Sequence, residues 1–235
     1  MLNQSDSHQD FLQQLSDQLD SPSVKDRVLA MVELQKASMP AQDAEPLIQR
    51  ALQDTAVQVR GMAVFSLGIK PISDSLPRLV HILESDSDYN IRAMAAGALG
   101  YLGDQRALEA LRHAFLEETS WLVQFSAAVS LGNLKHLEAT SILLIALESH
   151  QPLLQEAAIM ALGEIGAVEH VERLLAFAAS ADWMMRKRLA EALGNLPCPQ
   201  SQAALQYLCD DPSQPVAEAA ALALKQLTEL PELED

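Results

Sequence analysis

The chain has 235 residues and carries 32 acidic against 16 basic side chains, a formal net charge of −16. So large an acidic excess opposes the phosphate backbone of nucleic acids, which makes a nucleic-acid partner a poor expectation. Hydrophobic residues reach 49% but aromatics only 4%, so the chain must fold around an aliphatic, Leu- and Ala-rich core that favours helix over strand.

In chain order, two kinds of apolar-periodic segment alternate. FLQQLSDQL, from Phe11, precedes DRVLAMVELQ, from Asp26. AEPLIQRALQD then precedes VRGMAVFSLG, SLPRLVHILES precedes IRAMAAGALG, and RALEALRHAFLEE precedes VQFSAAVSLG. ATSILLIALES precedes LQEAAIMALG, VEHVERLLAFAAS precedes MRKRLAEALG, and SQAALQYLC precedes VAEAAALALK. The second phrase of each pair is one motif repeated. Its second residue falls at 27, 60, 92, 124, 155, 186 and 217, with spacings of 33, 32, 32, 31, 31 and 31. Apolar residues recur three and four apart in both segment types, as amphipathic helices require. The unit is helix A, a turn, then helix B. One such pair cannot cover its own apolar faces, so pairs must stack. The sequence therefore predicts an all-α, right-handed α-solenoid of seven helix pairs. The repeats lie at about 10–35, 43–68, 74–100, 105–132, 137–163, 168–194 and 200–227, in a single array over 1–235.

The punctuation fits this frame. Four residues before the reference position stand Ser23, Ala56, Asp88, Ser120, Gln151, Asp182 and Ser213, mostly good N-caps for helix B. Gly68, Gly100, Gly132, Gly163 and Gly194 fall near the ends of five B segments, where a left-handed residue is expected to close the helix. Gln35 and Lys225 replace them in the first and last copies, as terminal repeats that face water allow.

The phrase V-R-x-x-A-x-x-A-L-G after an acid near the turn, best seen from Ser85 to Ala107, resembles HEAT-like repeats of the phycobilisome (bilin) lyase type. The run from Asp86 through Ile165 resembles cyanobacterial phycobilisome-degradation proteins of the non-bleaching type, relatives of the bilin lyase subunits. The resemblance covers nearly the whole chain. It implies a cyanobacterial phycobilisome-associated protein that binds a phycobiliprotein subunit, its bilin chromophore, or both. The bilin, phycocyanobilin, would be held only transiently, in chromophore detachment or phycobilisome degradation. It also implies that the thiol forming the covalent chromophore bond belongs to the biliprotein.

Candidate residues follow from helix geometry. With Ala63, Ala95 and Ala127 taken as core-facing, residues two before and two after each point away from the core at 100° per residue. Those positions are Gly61 and Phe65, Ala93 and Gly97, and Phe125 and Val129. They continue as Glu156 and Met160, Lys187 and Glu191, and Glu218 and Leu222. The second to fourth copies thus offer a surface without charge, either a binding face or close helix packing. Phe65, Phe125 and Met160 are the expected partner anchors. Tyr89, Trp121 and Trp183 share the first position of helix B, as a ridge of partner-binding aromatics or as covers for a neighbouring turn. Arg60 and Arg92 follow Asp54 and Asp86 by six residues, which predicts an Arg–acid ladder broken at Gln124, Gln155 and Ala217. Arg186, Lys187 and Arg188 form the one dense basic cluster, either a local cation patch or a face paired with acids such as Glu191. For a bilin, Asp86 and Asp88 could accept from pyrrole N–H groups, while Arg92 and Lys187 could hold the propionates.

Other chemistry has no residues behind it. The six histidines never stand three or four apart, so no helical two-His metal site is expected. No His-Glu dipeptide occurs, which argues against the HEAT-like iron hydroxylases. Cys198 and Cys209 read as free, inert thiols of a cytoplasmic protein. No catalytic constellation is evident, so any activity would be lyase-like attachment or detachment. The N-terminal MLNQSDSHQDF has no signal-peptide pattern, and no apolar run is long enough to insert in a membrane; the resemblance implies association with phycobilisomes at the thylakoid surface. The alternative is a non-enzymatic scaffold that docks a partner helix in its groove.

Overall fold

Six of the seven A–B turns are built by the same local chemistry. A short polar residue six before the reference position accepts a hydrogen bond from the backbone N–H two residues on. These pairs are Ser21 with Ser23, Asp54 with Ala56, Asp86 with Asp88, Ser149 with Gln151, Ser180 with Asp182 and Asp211 with Ser213, at 2.8–3.2 Å. Such a turn reverses the chain while satisfying a donor that the incoming helix leaves orphaned. The reference side chain then reaches back to the turn. Arg27, Arg60, Arg92 and Arg186 donate to the carbonyls of Ser21, Asp54, Asp86 and Ser180 at 2.6–2.9 Å.

The computed structural model describes residues 3–229, which hold fourteen α-helices and no strand. The pairs are α1 (Asn3–Leu19) and α2 (Val24–Lys36), α3 (Ala41–Ala51) and α4 (Val57–Ile69), and α5 (Ser75–Ser85) and α6 (Tyr89–Leu102). Then come α7 (Leu108–Glu117) and α8 (Trp121–Asn133), α9 (Thr140–Leu147) and α10 (Pro152–Ile165), α11 (Val171–Leu175) and α12 (Trp183–Leu193), and α13 (Pro199–Leu208) and α14 (Gln214–Glu229). Single 3₁₀ turns lead into α7, α9 and α11. The fold class is the all-α, solenoid-type stacking of helix pairs that the repeat implies, seen within each of two units. The chain divides after Ala110, inside α7, into two compact units. Leu34, Ile48, Leu67, Leu79, Ile91 and Leu99 are fully buried in the first, and Leu111, Leu131, Leu143 and Ile159 in the second.

The expected ladder holds in part and is corrected in part. Arg27 forks onto Asp54 of the next hairpin at 2.6 and 2.9 Å, and Arg186 onto Asp211 at 2.7 and 2.9 Å. At Gln124 and Gln155 the pairing with an acid stops, as expected, but the bond to the turn continues. Gln124 donates to the Glu118 carbonyl at 2.9 Å and Gln155 to the Leu147 carbonyl at 3.1 Å. The carbonyl needs an N–H donor, and an amide supplies one as well as a guanidinium does. The expected N-caps are side-chain caps at Ser23, Asp88 and Asp182, whereas Ser120 makes no such bond.

The role expected for the repeated glycines is wrong. Gly68, Gly100, Gly132 and Gly163 lie inside α4, α6, α8 and α10, and Gly194 caps α12 with a right-handed φ of −60°. The left-handed residues that close α6 and α10 are Gly103 and Gly166, with φ of 67° and 79°. Four of the repeated glycines sit where consecutive B helices touch. A Cβ on Gly68 would lie 2.7 Å from the Ala98 carbonyl oxygen. On Gly132 it would lie 2.6 Å from Ala161 Cβ, on Gly163 2.9 Å from Ala192 Cα, and on Gly194 2.9 Å from Ala223 Cβ. The glycine is required by the close approach of two backbones, not by φ. In the first copy Gln35 replaces this contact with a polar bridge, donating to the Met62 carbonyl and Ser66 Oγ, each at 3.0 Å.

One substitution therefore has opposite signs at two sites. Gly163→Ala forces α10 and α12 apart and should destabilise by about 1–3 kcal/mol despite alanine's better helix propensity. Gly97, inside α6, has open space around its Cβ position. Gly97→Ala should stabilise by about 0.5–1 kcal/mol. Urea unfolding of both variants checks the pair.

A second expectation concerns acid. The hydrogen bonds from Arg27 and Arg186 hold the Asp54 and Asp211 carboxyls below their ordinary values. A depressed carboxylate contributes stability that is fully present above the ordinary range, near pH 4, and is lost as pH falls through the lower folded value. Asp54→Asn should lower stability at pH 7 and then lose less on acidification to pH 3 than the parent does, as measured by denaturant midpoints at both pH values.

Candidate functional site

In the first unit, α4 and α6 present one stripe at three- and four-residue spacing. It comprises Met62, Phe65 and Ile69 on α4, and Met94, Gly97 and Tyr101 on α6, without a charged side chain. Ile69, Met94 and Tyr101 are 37, 41 and 64% exposed, and Phe65 is half-buried. Phe65 and Tyr101 meet edge to face, with ring centroids 5.2 Å apart and planes at 89°. The positive ring edge against the negative ring face fixes both side chains in place. On α2, Leu29 is exposed and Val32 half-buried.

The expected placement of this face was off by one residue. Gly61 and Ala93 do not point outward, because both are buried. A Cβ on Gly61 would lie 2.4 Å from Met94 Sδ, so the Met94 thioether of α6 fills the space beside it. Positions two before the core alanine thus belong to the contact between B helices. The outward stripe begins one residue later and includes Ile69, Met94 and Tyr101, which the sequence reading missed. Their signal was present: each lies three or four residues from Phe65 or its equivalent Gly97.

In the second unit the equivalent B-helix positions have a different character. Phe125 and Met160 are half-buried and Val129 is exposed. A groove of about 500 Å³ runs past Met160, Lys187, Glu191, Glu218 and Leu222. The Lys187 ammonium donates to Glu191, and Arg188 pairs with Glu191 at 2.9 Å and with Glu156 at 3.9 Å. Burial resists ionisation of Glu191, but the hydrogen bonds from Lys187 and Arg188 outweigh it and hold the carboxyl below its ordinary value. Burial pushes the Glu156 carboxyl up. Of the two readings of the basic cluster, the face paired with acids is the one present.

The polar residues expected around a bilin have structural partners. Asp86 Oδ1 accepts from the Asp88 N–H at 2.8 Å. Asp88 accepts from the Asn90 backbone and side chain at 2.8 and 2.9 Å, which holds its carboxyl below its ordinary value. Arg92 donates to the Asp86 carbonyl. Together these three build the turn between α5 and α6. Tyr89, Trp121 and Trp183 are the first residues of α6, α8 and α12 and stand 50, 45 and 43% exposed, so their rings remain accessible. Cys198 Sγ caps α13, accepting from the Ser201 N–H at 3.4 Å. Among the described residues, no three His, Cys, Asp or Glu side chains are grouped to hold a metal ion. No helix among them is long and apolar enough to cross a membrane.

A family model of HEAT repeats matches residues 44–132, 114–180 and 171–234. Among solved structures, the complex of CpcE and CpcF of phycocyanin lyase from Nostoc sp. PCC7120 is similar over 81% of this chain and 78% of that one, at 24% identity and a TM-score of 0.63. The YibA protein of E. coli is similar over 94% of this chain and 82% of its own, at 17% identity and a TM-score of 0.61. An engineered protein is similar over 92 and 98%, at 21% identity and a TM-score of 0.53. These are likenesses of fold. No curated protein matches the chain in sequence.

The aromatic pair separates packing from exposure. Phe65→Ala should cost about 1–2 kcal/mol, the sum of partial burial and an edge-to-face contact. Tyr101→Ala, removing the more exposed ring, should cost less than about 1 kcal/mol. Thermal unfolding of both variants tests the ordering.

Proposed function

The chain belongs to the HEAT-repeat family, and we propose that it is a phycobilisome-associated member that binds a phycobiliprotein and its bilin chromophore, in chromophore detachment or phycobilisome degradation. The observation that carries this reading is the uncharged stripe of α4 and α6 on a protein with a net charge of −16. On a chain with so large an acidic excess, a run of exposed Ile, Met and Tyr side chains without any charge is the surface best suited to exclude water against a partner. The motif from Asp86 to Ile165 and the fold shared with the phycocyanin lyase complex support the choice of partner class. An apolar face takes the body of a linear tetrapyrrole or the surface of the subunit that carries it. The exposed rings of Tyr89, Trp121 and Trp183 offer further anchors. The role is played at the phycobilisome, on the cytoplasmic face of the thylakoid.

Binding of phycocyanin should fall more than tenfold in Ile69→Asp and Tyr101→Ala, with melting temperatures near that of the parent, because both side chains are exposed. Unchanged affinity in both variants would remove the stripe as the working surface. A shift in the absorption and fluorescence of free phycocyanobilin on mixing supports chromophore handling. Binding of the biliprotein without any such shift leaves a scaffold that docks a protein helix.

A further inference from the structure

The reference arginines do not all have the same partners. Arg27 and Arg186 each place a two-pronged fork on an aspartate of the next hairpin, Asp54 and Asp211. Arg60 stands at the same position in the second hairpin, and the corresponding acid of the next is Asp86. Those two groups form no ion pair. Arg60 Nη1 donates to the Asp54 and Thr55 carbonyls at 2.9 and 3.1 Å, and its Nε and Nη2 have no partner among the described residues. Asp86 uses Oδ1 on its own turn. Where the other two arginines meet a carboxylate, Arg60 borders a pocket of about 480 Å³. None of the stripe residues of α4 and α6 lines it.

The pocket has an apolar floor of Leu52, Val64, Ile82 and Ile91. Arg60, Arg78, His81 and Asp86 are its charged or titratable lining groups. Arg78 is held by Asp74 four residues before it. Asp54, close to Arg60, is already neutralised by Arg27. Arg60 is therefore the cation of this site with no carboxylate bound to it. We propose that the pocket binds the carboxylate of a small, otherwise apolar molecule, which takes the place on Arg60 that aspartate takes on Arg27 and Arg186. A guanidinium fork matches a carboxylate in two parallel hydrogen bonds, and a cavity of this size suits a compact ligand. Asp86 lines the pocket with Oδ1 on its own turn, and Asp54 and Asp88 lie close enough to Arg60 to feel its charge, so an incoming carboxylate competes with these three through the open Nε and Nη2 of the fork; acids beyond about 8 Å are largely screened at physiological ionic strength. The carboxylate has two possible sources: a straight-chain alkanoate, or a propionate of a linear tetrapyrrole. Only the second source rests on the function proposed above.

Nature supplies the test variant. Glutamine occupies the reference position at Gln124 and Gln155 and still holds a carbonyl at the A–B turn, so Arg60→Gln removes the charge and keeps the fold. Calorimetric titrations of the full chain use decanoate and decanol as one pair, and phycocyanobilin and its dimethyl ester as the other. At least one free acid should bind the parent, and bind at least tenfold more weakly when esterified, replaced by the alcohol, or offered to Arg60→Gln. Gln53→Glu is an independent variant on the exposed rim, and its added negative charge should weaken the same acid. If neither acid binds the parent, or both variants bind it with parental affinity, the proposal is overturned. Decanoate binding without phycocyanobilin binding keeps the pocket and counts against the tetrapyrrole. Phycocyanobilin binding that ignores Arg60→Gln overturns the pocket and leaves bilin binding at the stripe standing.

Discussion

From α4 onward, consecutive B helices within each unit approach so closely that a glycine of one must face an alanine of the next. At Gly68 and Ala98, and again at Gly163 and Ala192, there is no room for even a methyl group. This contact fixes how each helix is rotated about its axis. Once Gly68 faces Ala98, Gly61 falls beside Met94, and the residues that remain outward are Met62, Phe65 and Ile69 on α4 and Met94, Gly97 and Tyr101 on α6. The exposed stripe is thus a consequence of backbone packing. A bulkier residue at the glycine would open the interface and turn a different set of side chains outward.

The second constraint is electrostatic and local. Sixteen basic side chains serve a chain with twice as many acids, and several of those bases are committed to turns. Arg27, Arg92 and Arg186 each close a hairpin through a carbonyl, and Arg27 and Arg186 also join it to the next. Lys187 and Arg188 are taken by Glu191. A cation that borders a cavity without its own acid, as Arg60 does, stands out against that background.

The sequence reading reached the helix pairs, their order and the core alanines because a period of 31 to 33 residues leaves little freedom in how a repeat folds. It missed what depends on neighbours. A glycine near the end of a helical pattern reads as a left-handed cap when only its own helix is considered, yet Gly68 and Gly132 prove necessary to the next helix. The same blindness shifted the outward face by one residue, since nothing within a single helix says that Gly61 is covered by Met94. Gln124 and Gln155 look like breaks to a rule based on charge, but the acceptor is a neutral carbonyl. The pocket beside Arg60 was illegible because Arg60, Arg92 and Arg186 look alike in sequence, and only the geometry of the next turn separates Arg60 from Arg186.

The central claim is that the apolar B-helix face of the first unit receives the phycobiliprotein. Hydrogen exchange of the chain with and without phycocyanin reads this directly, because bound surface slows the opening of the helices beneath it. The account predicts new protection concentrated in 61–69 and 93–102, in α4 and α6, with little change in α14 and in α12 beyond its first turn. Protection confined to α12 and α14, or no protection at a phycocyanin concentration that should saturate the site, would contradict it.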